Sequence, residues 1–129
     1  MENSTKLEND SGSFSIKKRL KSFIHAGRGI WVFIGGTHNA WVEIAIGVIA
    51  IVLGFYCKLS YIEWSILILA GGLVLVAEAF NTAIEIDINL TSPEYHPYAR
   101  DTKDVAAGAV LICAIIWAVV TVIIFAHHI

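Results

Sequence analysis

Apolar residues fall into four blocks along this chain, and the polar residues between and within them are few. From Phe14 to Phe33, the residues Phe14, Leu20, Phe23, Ile24, Ile30 and Trp31 recur at three- and four-residue steps with basic residues between them. That spacing predicts an amphipathic helix over residues 14–36, lying in a membrane interface with its apolar side down. Gly35 and Gly36 interrupt it. A first spanning segment is predicted from about residue 40 to 57, apolar except for Glu43 near its start and short for a complete span. After a tight turn around Lys58, a second span is predicted over about 62–88, with Glu78 inside it. Ile88 to Asp101 forms a polar connection containing Pro93 and Pro97, both poor fits to a helix interior. A third span is predicted over about 104–126.

The stretch from Met1 to Ser13 is polar and has no aliphatic run, so it is expected to be a disordered tail and not the apolar core of a secretory signal. The expected fold is therefore an all-α membrane protein, with one amino-terminal surface helix and three transmembrane helices in a single domain over residues 14–129.

Composition strengthens this picture. Of the 129 residues, 57% are hydrophobic and 16% charged, and the mean hydropathy is +0.69, so the apolar fraction lies above the soluble range. Val105 to Ala126 carries no charge. Cys57 and Cys113 sit in or beside apolar stretches with no metal-ligand spacing, which argues against a disulfide framework or a zinc site. The net charge of -2 hides a basic cluster of Lys17, Lys18, Arg19, Lys21 and Arg28, suited to an anionic membrane surface or a phosphate. These cations, with Arg100 and Lys103 in the second connection, outweigh the lone Lys58 of the first. The amino terminus is thus expected in the cytoplasm, together with the end of the second span.

That second span carries the chemistry. At about 100° per residue, Asn81, Thr82, Glu85 and Asn89 fall within about 60° of Glu78 on one helix face, whereas Asp87 points the opposite way. A carboxylate at mid-bilayer depth costs about 2.5–3.5 kcal/mol on insertion scales, so Glu78 must face the helix bundle or water. The stripe supplies a proton acceptor and oxygen ligands for Mg²⁺, and Lys103, Lys21 and Arg28 supply cations, which are the parts that phosphoryl transfer requires. No GxxxxGK[ST] loop is present, and Gly27-Arg28-Gly29 has no strand before it. On these residues alone a kinase, a cation pathway and an interaction scaffold all remain open.

The run Glu78-Ala-Phe-Asn81-Thr82-Ala83-Ile84-Glu85, then Glu94-Tyr95-His96 and Lys103-Asp104-Val-Ala-Ala, resembles the small bacterial membrane diacylglycerol kinase family, which includes undecaprenol kinases. The resemblance covers about Phe14 to Phe125. It implies a homotrimer with composite active sites in the inner membrane, in which MgATP phosphorylates a lipid hydroxyl at the cytoplasmic face. The first expected acceptor is diacylglycerol, with undecaprenol as the alternative. On this chain it implies Glu78 as general base, Glu85 as a metal- and nucleotide-binding acid and Asn81 in support. It also implies that Glu94, Tyr95, His96, Lys103 and Asp104 approach the nucleotide. Lys18, Lys21, His25 and Arg28 occupy surface-helix positions that handle ATP or the lipid headgroup, His25 standing where Tyr is common. Two positions depart from the pattern. Thr37 stands where the family has a second metal-binding Glu, and Asn89 stands where the signature ends in Asp; Glu43 is a possible substitute. These losses motivate a reading of another class, a catalytically weak protein that binds lipid or nucleotide.

Overall fold

A computed structural model describes residues 15–129, which contain four helices: α1 (Ile16–Gly36), α2 (His38–Cys57), α3 (Tyr61–Thr91) and α4 (Pro97–Ala126). The expected amino-terminal tail lies outside the described residues. The chain falls into two compact units that meet between Val32 and Phe33.

In the first unit, α1 has no buried residue. At 100° per residue, Lys18, Lys21 and His25 share one side, Arg28 borders it, and Leu20, Phe23, Ile30 and Trp31 occupy the other, as an interfacial helix requires.

In the second unit, α2, α3 and α4 are each long and apolar enough to cross a membrane. Their junctions have identifiable local causes. Between α1 and α2, Thr37 adopts an extended backbone, and its hydroxyl donates to the Phe33 carbonyl at 2.7 Å. At the end of α2, Lys58 adopts the left-handed conformation (φ 54°, ψ 53°), and the Leu59 N–H donates to the Gly54 carbonyl, a helix-terminating pattern. Ser60 then starts α3 with a capping box: its Oγ accepts from the Glu63 N–H, while Glu63 Oε2 accepts from the Ser60 N–H at 2.8 Å.

The structure moves the start of the last helix. α3 continues to Thr91 and α4 begins at Pro97, not near Asp104, so the connection shrinks to residues 92–96. Proline is tolerated in the first turn because its missing N–H would have had no intrahelical partner there. His96 caps the helix, its Nδ1 accepting from the Tyr98 N–H at 3.2 Å.

α3 packs along α4 over much of its length and more sparsely against α2. The α3 seam is Leu67, Ala70 and Val74; α4 contributes Trp117 and Ile124, and α2 contributes Ala50. Gly71 lets the Trp117 indole approach closely, since a Cβ there would sit 3.2 Å from Nε1. Outward-facing side chains such as Ile49, Val52, Leu69, Ile112 and Val122 are exposed, which is the arrangement lipid solvation demands.

Candidate functional site

The buried seam of α3 changes chemistry after Val74. Its next members are Glu78, Asn81 and Thr82, all buried, and at 1% exposure Glu78 is the most buried polar residue among those described. The stripe then emerges: Glu85 is half-buried and Asn89 exposed. At 1.5 Å per residue it climbs about 16 Å from Glu78 to Asn89. Asp87 is exposed, away from the stripe.

Local bonds fix several of these groups. The Thr82 hydroxyl donates to the Glu78 carbonyl at 2.9 Å, so it is engaged with its own helix. The Asn81 amide reaches along one turn to donate to Glu85 Oε1 at 3.4 Å, while its buried Oδ1 has no partner. Glu43, half-buried on α2, lies near Glu78, and its buried Oε2 has no partner. Unmatched acceptors in an interior are costly unless a ligand or a neighbour meets them. Beneath Glu43 an apolar groove of about 320 Å³ runs between α2 and α3, past Gly47, Gly72 and Leu75 to Leu67 and Trp117.

Where α3 meets α4, a polar pocket of about 240 Å³ is lined by Asn89, Glu94, Tyr95, His96, Arg100, Lys103 and Asp104. Six of these seven were expected from sequence; Arg100 had entered only as an orientation charge. Its signal was its position three residues before Lys103, on the same side of a helix once α4 begins at Pro97. Lys103 donates to Asn89 Oδ1 at 2.6 Å, which holds the ammonium at the pocket with an uncharged partner.

The remaining predicted residues lie elsewhere. Thr37 is half-buried with its hydroxyl committed to Phe33, and Lys18, Lys21, His25 and Arg28 belong to the other unit. Among the described residues no three His, Cys, Asp or Glu side chains gather as a ready metal cage, and both cysteines are free thiols.

Comparison with known proteins gives the family. A family model described as prokaryotic diacylglycerol kinase matches residues 24–125. The chain is 39% identical over 110 residues to an undecaprenol kinase of Bacillus subtilis, covering 85% of this chain and 89% of that protein. It is 31% identical over 114 residues to a diacylglycerol kinase of Helicobacter pylori, covering 83% and 89%. With a diacylglycerol kinase of Escherichia coli it shares 36% identity over 93 residues, covering 67% and 75%.

Proposed function

The chain belongs to the prokaryotic diacylglycerol kinase family and is an ATP-dependent lipid kinase; from that premise we propose that Glu78 is its general base and that the pocket at the α3–α4 connection receives the nucleotide. The single observation that carries this is the continuity of one α3 face. It leads from a buried carboxylate, through an amide and a second carboxylate, to a pocket holding Lys103.

In this reading Glu78 accepts the proton of the lipid hydroxyl as its oxygen attacks the terminal phosphorus, and the bond to the departing ADP breaks. Lys103, held in place by Asn89, grips the phosphates, while Glu94, Tyr95, His96 and Asp104 enclose the rest of the nucleotide. Mg²⁺ is commonly bound by one or two carboxylates together with substrate phosphates. The half-buried Glu85 carboxylate and the partnerless Asn81 Oδ1 fit that role. When bound, the ion neutralises charge on the phosphates. Glu43, facing Glu78, compensates for Thr37, whose hydroxyl contributes at most a neutral oxygen.

The acceptor is a lipid alcohol whose hydrocarbon lies against the groove beneath Glu43. The identity to the Bacillus undecaprenol kinase exceeds that to the Helicobacter diacylglycerol kinase, which favours a polyprenol over the diacylglycerol first expected from the sequence. The pocket faces the cytoplasm from the inner membrane, in keeping with the distribution of basic residues. The working unit is a self-associated assembly, a trimer by family resemblance, and Lys18, Lys21, His25 and Arg28 of α1 are assigned to ATP or the lipid headgroup on that same resemblance. The outer end of the stripe, with Glu85 half-buried and Asn89 exposed, supports such a cover.

The test is transfer of the terminal phosphate of ATP, with Mg²⁺, to undecaprenol and diacylglycerol in parallel, using purified protein in mild detergent and Glu78→Gln as control. Transfer to undecaprenol that vanishes in the control is the expected result. Preference for diacylglycerol would reverse the acceptor assignment, and no transfer to either lipid by a stable oligomer would favour a binding role.

A further inference from the structure

Arg100 is the residue of the polar pocket that neither the helix stripe nor the Lys103-Asp104 motif accounts for. It stands on the first turn of α4, with Lys103 one turn further on the same side. Its guanidinium is already aligned. Nη1 donates to the Tyr95 hydroxyl at 3.1 Å, and Nε and Nη2 donate to the same Asp101 carboxylate oxygen at 3.1 and 2.8 Å. These bonds engage three of the five N–H groups that a guanidinium offers.

The surroundings indicate what this alignment serves. Within the pocket the other charged side chains are Lys103, Glu94 and Asp104, so Lys103 alone cannot balance a nucleotide's phosphates against the two acids. Asp101 does not line this pocket; it borders the neighbouring cleft with Ile84, Tyr98 and Thr102. Arg100 is therefore held at the rim, between an acid outside the pocket and a phenol inside it. The Arg100–Asp101 pair is 54% and 57% exposed. Exposed pairs of this kind contribute about 0–1 kcal/mol, so the pair opens at little cost. A phosphate group offers the planar fork what a single carboxylate oxygen does not, two parallel charge-assisted bonds.

Resting on the nucleotide pocket assigned above, we propose that Arg100 is a second phosphate anchor for ATP, and that Asp101 is its resting counter-ion, released when the nucleotide binds. Tyr95 keeps the guanidinium at the rim in both states. Because Asp101 competes with the phosphates, removing its charge strengthens nucleotide binding, whereas removing Arg100 weakens it.

Initial rates against MgATP, at saturating lipid acceptor, test this with Arg100→Ala, Arg100→Lys and Asp101→Asn, alongside equilibrium binding of a fluorescent ATP analogue. Arg100→Ala is expected to raise the KM for ATP by about tenfold or more, the loss of two hydrogen bonds to a charged group at an exposed rim. The KM for lipid, from a second titration at saturating MgATP, should stay within about twofold. Arg100→Lys, which keeps the charge but not the fork, should fall between wild type and Arg100→Ala. Asp101→Asn should lower the KM for ATP. The opposite signs are the signature: if the pair only supports the first turn of α4, both variants raise the KM together, and that outcome overturns the proposal. An unchanged KM in Arg100→Ala does so as well. The binding measurement separates this from the kinase assignment, since nucleotide affinity responds to Arg100 even in a preparation that turns over neither lipid.

Discussion

The two ends of the α3–α4 pair use the same kinds of side chain to opposite effect. At the end nearest the α2–α3 turn, Glu63 is met on every side: by the Ser60 N–H at 2.8 Å, by the Ser60 hydroxyl at 2.7 Å and by His128 Nε2 at 2.9 Å. At the other end Glu43 and Asn81 keep buried oxygens with no partner, Glu78 is buried at 1% exposure, and a polar pocket opens beside Lys103. An acid whose oxygens are all engaged terminates and fastens helices. One left unmatched in an interior is poised for a ligand, a metal or a proton. The difference lies in satisfaction, not in residue type.

The sharpest way to break this comparison is at the unsatisfied end. Glu78→Gln should lower phosphoryl transfer by about a hundredfold or more, the usual scale of a lost general base. The thermal unfolding midpoint in detergent should hold or rise, because the amide fills the same buried space without a carboxylate charge. A midpoint that falls in step with activity would make Glu78 a structural group. Glu85→Gln should raise the Mg²⁺ concentration needed for half-maximal rate by about tenfold to a hundredfold, scaled from the loss of groups that support a bound metal. A metal titration at saturating ATP decides it, and an unchanged titration would remove Glu85 from the metal site.

The satisfied end should respond in the reverse manner. Ser60→Ala removes half of the capping box and should cost about 1 kcal/mol of stability, seen as a lower unfolding midpoint, with kcat unchanged. The smallest effect is expected from His128→Ala. Deleting this partly exposed partner should cost well under 1 kcal/mol and leave both kinetic constants alone. A large kinetic effect from either variant would mean that the two ends are coupled.

Much of the architecture was legible because lipid solvation writes it plainly: three long apolar runs, and one face of α3 on which Glu78, Asn81, Thr82, Glu85 and Asn89 recur at helical spacing. Pro97 was harder. The same ring that breaks a helix interior is at ease in a first turn, and only the His96 cap and the packing of α4 against α3 reveal which case applies. Arg100 was overlooked for the same reason, since its kinship with Lys103 exists only if the helix has already begun. The approach of Glu43 to Glu78 belongs to tertiary packing between two helices, and no local spacing encodes it. Thr37 was visible as a missing acid, but its bond back to the Phe33 carbonyl depends on the backbone turning there.

The helices differ in length, and this sets how far the proposed site stands from the hydrocarbon. α2 has 20 residues, about 30 Å, enough to cross the hydrocarbon and no more. α3 and α4 have 31 and 30 residues, about 45 Å, and α3 leaves from the same turn that ends α2. They overhang α2 by about three turns at the end that carries Lys103. On the site proposed above, the pair works as a pier standing out of the oil into the water: a soluble donor moors at its tip, an insoluble acceptor waits at its foot, and neither has to enter the other's solvent. The overhang is built from the stripe itself, since Asn81, Thr82, Glu85 and Asn89 recur on every turn of it, so it cannot be shortened by a turn without losing one of them.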